Sequence, residues 1–257
     1  MQGTLSKLGL RHPLIVAPMA GGPSSPALVA ASSAAGALGS VGAAYSSPAA
    51  IAEFVQTVRA RTDCPIAINL FIQHPQPKVD AAALERAVRA TAGYRAELGL
   101  PTPEFAAPYE EEFDGQFEAL LRAKPAALSF VFGVLPAEHM RAARDAGMLI
   151  IGTATTPEEA LALEESGVDA ITLQGYEAGG HRGIFDPSAE DSETGLEDLL
   201  ARSLGRIKVP LIAAGGIMTG SDIQAVLAKG ASAVQMGTAF LATAEAGTSA
   251  PYRAALE

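Results

Sequence analysis

The sequence has no tryptophan, one cysteine and four histidines, and each scarcity narrows the chemistry open to it. The lone Cys64 cannot close an internal disulfide. It precedes Pro65 at an expected strand entrance, so it reads as a buried, inert thiol rather than a nucleophile. No apolar run approaches the roughly 18 residues of a membrane-spanning helix, and the start MQGTLSKLGLRHPL lacks the apolar core of a signal peptide. The expectation is a soluble, cytoplasmic protein. Only 18 Lys and Arg stand against 28 Asp and Glu, a net charge of −10, and no basic cluster occurs. Nucleic acid and anionic membranes are therefore poor partners, and an anionic ligand would need a local donor site. No GxGxxG fingerprint opens a helix, which disfavours a dinucleotide bound in Rossmann style. No metal site is expected.

What is present is small, aliphatic and regular. At 257 residues and 49% hydrophobic, the chain suits one (β/α)8 barrel domain, for which about 250 residues is typical. Eight short apolar runs recur: Leu14–Ala17, Leu38–Val41, Ile66–Leu70, Leu128–Phe132, Leu149–Gly152, Ala170–Leu173, Leu211–Ala214 and Ala233–Met236. They are apolar at consecutive positions, as strands covered on both faces are. Between them Ser25-Pro26, Ser47-Pro48 and Thr156-Pro157 each set a capping hydroxyl before a proline at the first helical position, and Glu159 is placed to complete a capping box with Thr156. Gly36, Gly147, Gly167 and Gly230 then stand where helices close. Eight βα repeats favour a TIM barrel, spanning residues 1–257, over an open doubly wound sheet. One helical insertion, about 72–124, follows the third strand. It comprises the loop IQHPQP, an amphipathic helix Asp80–Leu98, the bend GLPTPEFAAP and an acidic helix Glu110–Arg122, and it is expected to roof the active face.

The sixth strand runs into QGYEAGGHRG, Gln174 to Gly183. Glycines let backbone approach a flat ligand, and imidazole titrates nearest neutral pH. His181 is thus a candidate base, although a lone histidine in a turn more commonly just faces solvent. Arg182 reads as a surface arginine before it reads as an anion clamp. The seventh and eighth strands lead into Ala213-Ala-Gly-Gly-Ile217 and Gln235-Met-Gly-Thr-Ala-Phe240. Loops at these two positions commonly bind a phosphate through backbone N–H groups. Gly215, Gly216 and Gly237 permit that approach, and Thr238 adds a hydroxyl.

The segments APMAGGPSSPALVAASSAAGALG, INLF, YRAELGLPTP, SFVFG, QGYEAGGHRG, AAGGIMTG and QMGTAF together resemble the nitronate monooxygenase family over nearly the whole chain. That resemblance implies an FMN-dependent barrel that oxidises alkyl nitronates with molecular oxygen to a carbonyl compound and nitrite. It implies that Asn69 and Gln174 contact the flavin ring or ribityl region. Gly179, Gly216, Gln235, Met236, Gly237 and Thr238 would hold the rest of FMN, chiefly its phosphate, and His181 matches the family's base. It also implies a last barrel helix and a small C-terminal helical region that are missing here. Apolar barrel surface is then expected to be uncovered, or covered in a homodimer. The competing readings are an FMN-dependent enoyl-acyl-carrier-protein reductase, a non-catalytic flavin-binding protein and a phosphate-sugar enzyme.

Overall fold

The computed structural model describes residues 3–75, 80–104 and 109–256. Eight strands follow the eight apolar runs: β1 (Leu14–Val16), β2 (Gly39–Gly42), β3 (Ile66–Phe71), β4 (Ala127–Val131), β5 (Leu149–Ala154), β6 (Ala170–Gln174), β7 (Leu211–Ala214) and β8 (Ala233–Met236). They pair in parallel in the order β1-β8-β7-β6-β5-β4-β3-β2. The Val16 N–H donates to Leu38 O and the Leu38 N–H to Leu14 O, both at 2.9 Å, which joins the two ends of the sheet into the expected barrel.

Side-chain alternation along these strands sorts the core into two layers. Ile15, Leu38, Ala67, Ala127, Leu149, Ala170, Ile212 and Ala233 fill the interior near the strand starts, where Leu5 and Leu8 of a 3-10 helix, Gly3–Leu8, join them. Residues one position on, such as Ile68, Leu128, Ile171 and Val234, belong to the outer layer under the helices. Two positions beyond four of these residues the same face turns polar: Ser40, Asn69, Ser129 and Thr172 are buried there. Farther along, Phe71, Val131, Gln174 and Gln235 continue that face toward the mouth at the strands' C-terminal ends.

The helices are α1 (Pro26–Ala34), α2 (Pro48–Arg59), α3 (Ala81–Glu97), α4 (Phe113–Ala123), α5 (Ala137–Asp145), α6 (Pro157–Ser166), α7 (Leu196–Ser203), α8 (Gly220–Ala228), α9 (Thr238–Leu241) and α10 (Ala250–Ala254). Ser25, Ser47 and Thr156 each accept from a first-turn N–H as expected. Gly167 closes α6 at φ +92°. The Glu159 capping box does not form. Glu159 Oε2 instead accepts from Thr155 N and Oγ1, and Oε1 accepts from Phe185 N at 2.8 Å, so the carboxylate ties the α6 start to the loop after β6. The reciprocal box lies at Thr219 and Asp222, opening α8. Cys64 is partly exposed rather than buried.

Phe113, Phe117 and Leu120 of α4 sit in the outer core, so α4 is the barrel helix that follows β3. Glu112 is its N-cap, accepting from Asp114 N and Gly115 N. His139 of α5 packs edge-on against Phe113 and Phe117 and meets Asp114 at 3.0 Å, a structural place outside the mouth. Residues 73–111 form a second compact unit. Its helix α3 is capped by Asp80 and has no buried residue. Parts of the expected loop 72–77 and bend 99–108 lie outside the described residues. Among the described residues α9 and α10 follow β8, and Ala246 joins Val16 and Leu28 in a small cluster flanked by Met19 and Phe240.

Candidate active site

Three loops converge over the C-terminal ends of β6, β7 and β8. A Cβ at Gly179 would lie 3.7 Å from Thr238 Oγ1, one at Gly215 3.0 Å from Ala178 N, and one at Gly216 3.3 Å from Glu177 Cβ. Gly216 itself has φ +67°, a conformation side chains resist. Of the residues expected to surround a cofactor, Gly179, Gly216 and Thr238 are thus neighbours. Asn69 lies across the interior on β3, 6% exposed, donating to Ser129 Oγ at 3.0 Å. Gln235 lies on the interior face beside Ala214 and Ile15. Met236 turns the other way, its side chain in the outer core and its carbonyl accepting from Ala17 N. Only backbone is left for it to offer a ligand.

The β6 loop is held by its own polar groups. Gln174 Nε2 donates to His181 O at 2.9 Å, and its Oε1 accepts from Gly183 N at 2.8 Å, so one amide pins the backbone on both sides of Arg182. Arg182 is not a surface arginine. Its side chain is 17% exposed and its Nε meets both oxygens of Asp191, at 3.1 and 2.9 Å, while Nη1 donates to Gln174 O. Burial pushes the Asp191 carboxyl up, but the Arg182 hydrogen bond, the Glu193 N–H and the Arg182 charge outweigh it and hold the group below the ordinary carboxylate range. Glu177, next in the loop, accepts from Leu196 N at 2.9 Å and caps α7, whose N-cap Gly195 has no side chain to do so.

His181 is exposed at the mouth, and its ring stands against an aromatic wall. Phe71 lies edge-on at 5.6 Å and Phe132 at 6.0 Å, the two phenyl rings meeting at 4.8 Å. Phe132 reaches this wall from φ +73°, strained for a residue with a side chain. Tyr45, after β2, lies edge-on to Phe71, with its hydroxyl 3.5 Å from His181 Nε2. Sequence reading missed Tyr45, Phe71 and Phe132. Their one available signal was position, since each stands at or just past the C-terminal end of a strand, where barrel chemistry collects.

The chain matches the family model described as nitronate monooxygenase over residues 3–257. It is 41% identical to the nitronate monooxygenase of Pseudomonas aeruginosa over 253 residues, covering 97% of this chain and 72% of that protein. The chain belongs to the nitronate monooxygenase family. The family comprises flavin-dependent oxidoreductases, and this chain is one of them. Its structure is similar to that of a nitroalkane oxidase from Streptomyces ansochromogenes, with TM-score 0.88, 41% identity and coverage of 98% of this chain and 72% of that one. It is also similar to FabK from Thermotoga maritima, with TM-score 0.70, 25% identity and coverage of 96% and 64%. Among the described residues no helix is long and apolar enough to cross a membrane, and no cluster of metal-ligating side chains occurs.

Proposed function

We propose that this chain oxidises alkyl nitronates with molecular oxygen, giving a carbonyl compound and nitrite, and that its flavin is FMN. The observation that carries the reading is that His181 is pinned through its backbone at the mouth, beside glycine-bearing loops from β6, β7 and β8 that approach one another closely. The mouth fits FMN. Gly179, Gly216, Gly237 and Thr238 supply backbone N–H groups and a hydroxyl for the phosphate end, and Asn69 and Gln235 supply polar groups on the interior face. Gln174 holds the loop with one N–H and one lone pair, keeping its second N–H for the ligand. Electron transfer from the organic substrate to oxygen is the chemistry FMN supplies when bound.

The chain's own groups do the rest. Neutral His181 removes the acidic proton next to a nitro group when the substrate is a nitroalkane, and cationic His181 holds the charge of a preformed nitronate. Phe71, Phe132 and Tyr45 form an aromatic wall beside His181 against which the apolar part of the substrate would pack. Heat-released supernatant should contain a flavin with a single phosphate, and an oxygen electrode should record uptake with propyl-2-nitronate in the absence of NAD(P)H. A protein that stays colourless after reconstitution with FMN, or a yellow one inert to nitronate, overturns the proposal. Turnover that requires NAD(P)H and an enoyl thioester would mark the reductase instead.

A further inference from the structure

We infer that Tyr45 is a substrate-binding residue, forming with His181 a two-point fork for the two oxygens of the nitronate group. This rests on the nitronate-oxidising reading. The Tyr45 hydroxyl stands 3.5 Å from His181 Nε2, at the far limit of a hydrogen bond, so neither group satisfies the other. Tyr45 is 60% exposed, and its ring and the imidazole both stand edge-on to one ring, Phe71, at centroid distances of 6.0 and 5.6 Å. The tyrosine is also held in place. Gln116, only 3% exposed, aims its amide nitrogen at the carbonyls of Ala43, Ala44 and Ser46, at 3.1, 3.2 and 2.8 Å, which bracket Tyr45 in the chain. A buried amide spent on one short turn fixes where that turn's side chain points. A nitronate spreads its charge over two oxygens on one nitrogen, and two donors a few ångströms apart meet both. In a protein of net charge −10 such an anion depends on local donors.

The test compares flavin-loaded wild type and Tyr45→Phe with propyl-1-nitronate and with 1-nitropropane across pH. The variant keeps the ring on Phe71 and loses only the donor. KM for the nitronate should rise about tenfold, the low end for a hydrogen bond to a charged group. The kcat value, flavin content and pH limb of kcat/KM should stay as in wild type. An unchanged KM overturns the fork. So does a displaced pH limb with unchanged KM, which would mean that Tyr45 acts on the His181 charge and not on substrate. If wild type itself takes up no oxygen with nitronate, the proposed function falls and the fork with it; turnover in wild type that is indifferent to Tyr45→Phe overturns the fork alone.

Discussion

Replacing Gln174 with leucine separates two roles that the same amide could play. Leucine keeps the approximate volume but removes the donor to His181 O at 2.9 Å and the acceptor for Gly183 N at 2.8 Å. Each such bond contributes about 1 kcal/mol net, and the buried Gly183 N–H would be left with no partner, so the loop should lose about 2 kcal/mol. Since the loop can open locally, the loss should appear first in amide exchange at Gly183, about 30-fold faster than in wild type. The exchange is to be measured in flavin-free protein. With flavin restored, a loosened His181 should lower kcat/KM by about 10- to 100-fold, the usual effect of misplacing a reacting group. If Gln174 served only as a flavin contact, exchange in flavin-free protein would not change and FMN affinity alone would fall. That result would refute the pinning argument.

His181→Asn should slow oxidation of neutral nitroalkane about 10²–10⁴-fold while retaining much of the turnover of preformed nitronate, with full flavin content; equal rates on the neutral substrate would dismiss it as base. Gly216→Val places a β-branched side chain at φ +67° and 3.3 Å from Glu177 Cβ, so FMN should bind at least about tenfold more weakly by fluorescence titration. For Asp191→Asn the sign follows from a folded-state pKa below the ordinary 3.8: the carboxylate's contribution is fully present above that value and is lost as pH falls through the folded one. Urea unfolding should therefore show a wild-type advantage that holds from pH 7 to about 4 and shrinks only below it; an advantage already gone at pH 6 would be incompatible with that pairing.

The strands were legible because a parallel sheet covered on both faces leaves unbroken apolar runs, and the chain punctuates them with Ser-Pro, Thr-Pro and helix-closing glycine. The glycine loops were legible from their ordinal place after the seventh and eighth strands. What escaped the sequence was partnership at a distance. Glu159 fitted the local pattern of a capping box, yet a backbone N–H at Phe185, 26 positions away, competed for its carboxylate. Arg182 looked like surface until Asp191 folded back beside it. Tyr45, Phe71, Phe132 and His181 come from four separate loops and strand ends, and no local spacing records that barrel closure makes them one wall.

The same pattern of partnership explains how an acidic protein can offer a mouth fit for anions. Of the carboxylates on or beside the loop that carries His181, three are engaged in holding its framework. Asp191 is paired with Arg182, Glu177 is spent on the start of α7, and Glu159 has its oxygens on Thr155 and Phe185. Glu177 and Glu159 use theirs on backbone N–H groups, and Asp191 uses its own on the Arg182 side chain. Arg182 commits Nε to Asp191 and Nη1 to Gln174 O, so those two groups add rigidity to the loop. Toward the mouth stand glycine N–H donors, the Thr238 hydroxyl, the Tyr45 hydroxyl and His181, with the amides of Asn69, Gln174 and Gln235 on the interior face. Each of these can donate a hydrogen bond to an anion. Under the proposed function, the phosphate of FMN and a nitronate are the two anions such a surface would take. A carboxylate-to-amide change at Glu177 should accordingly loosen the loop without improving anion binding, because its charge is already directed into α7.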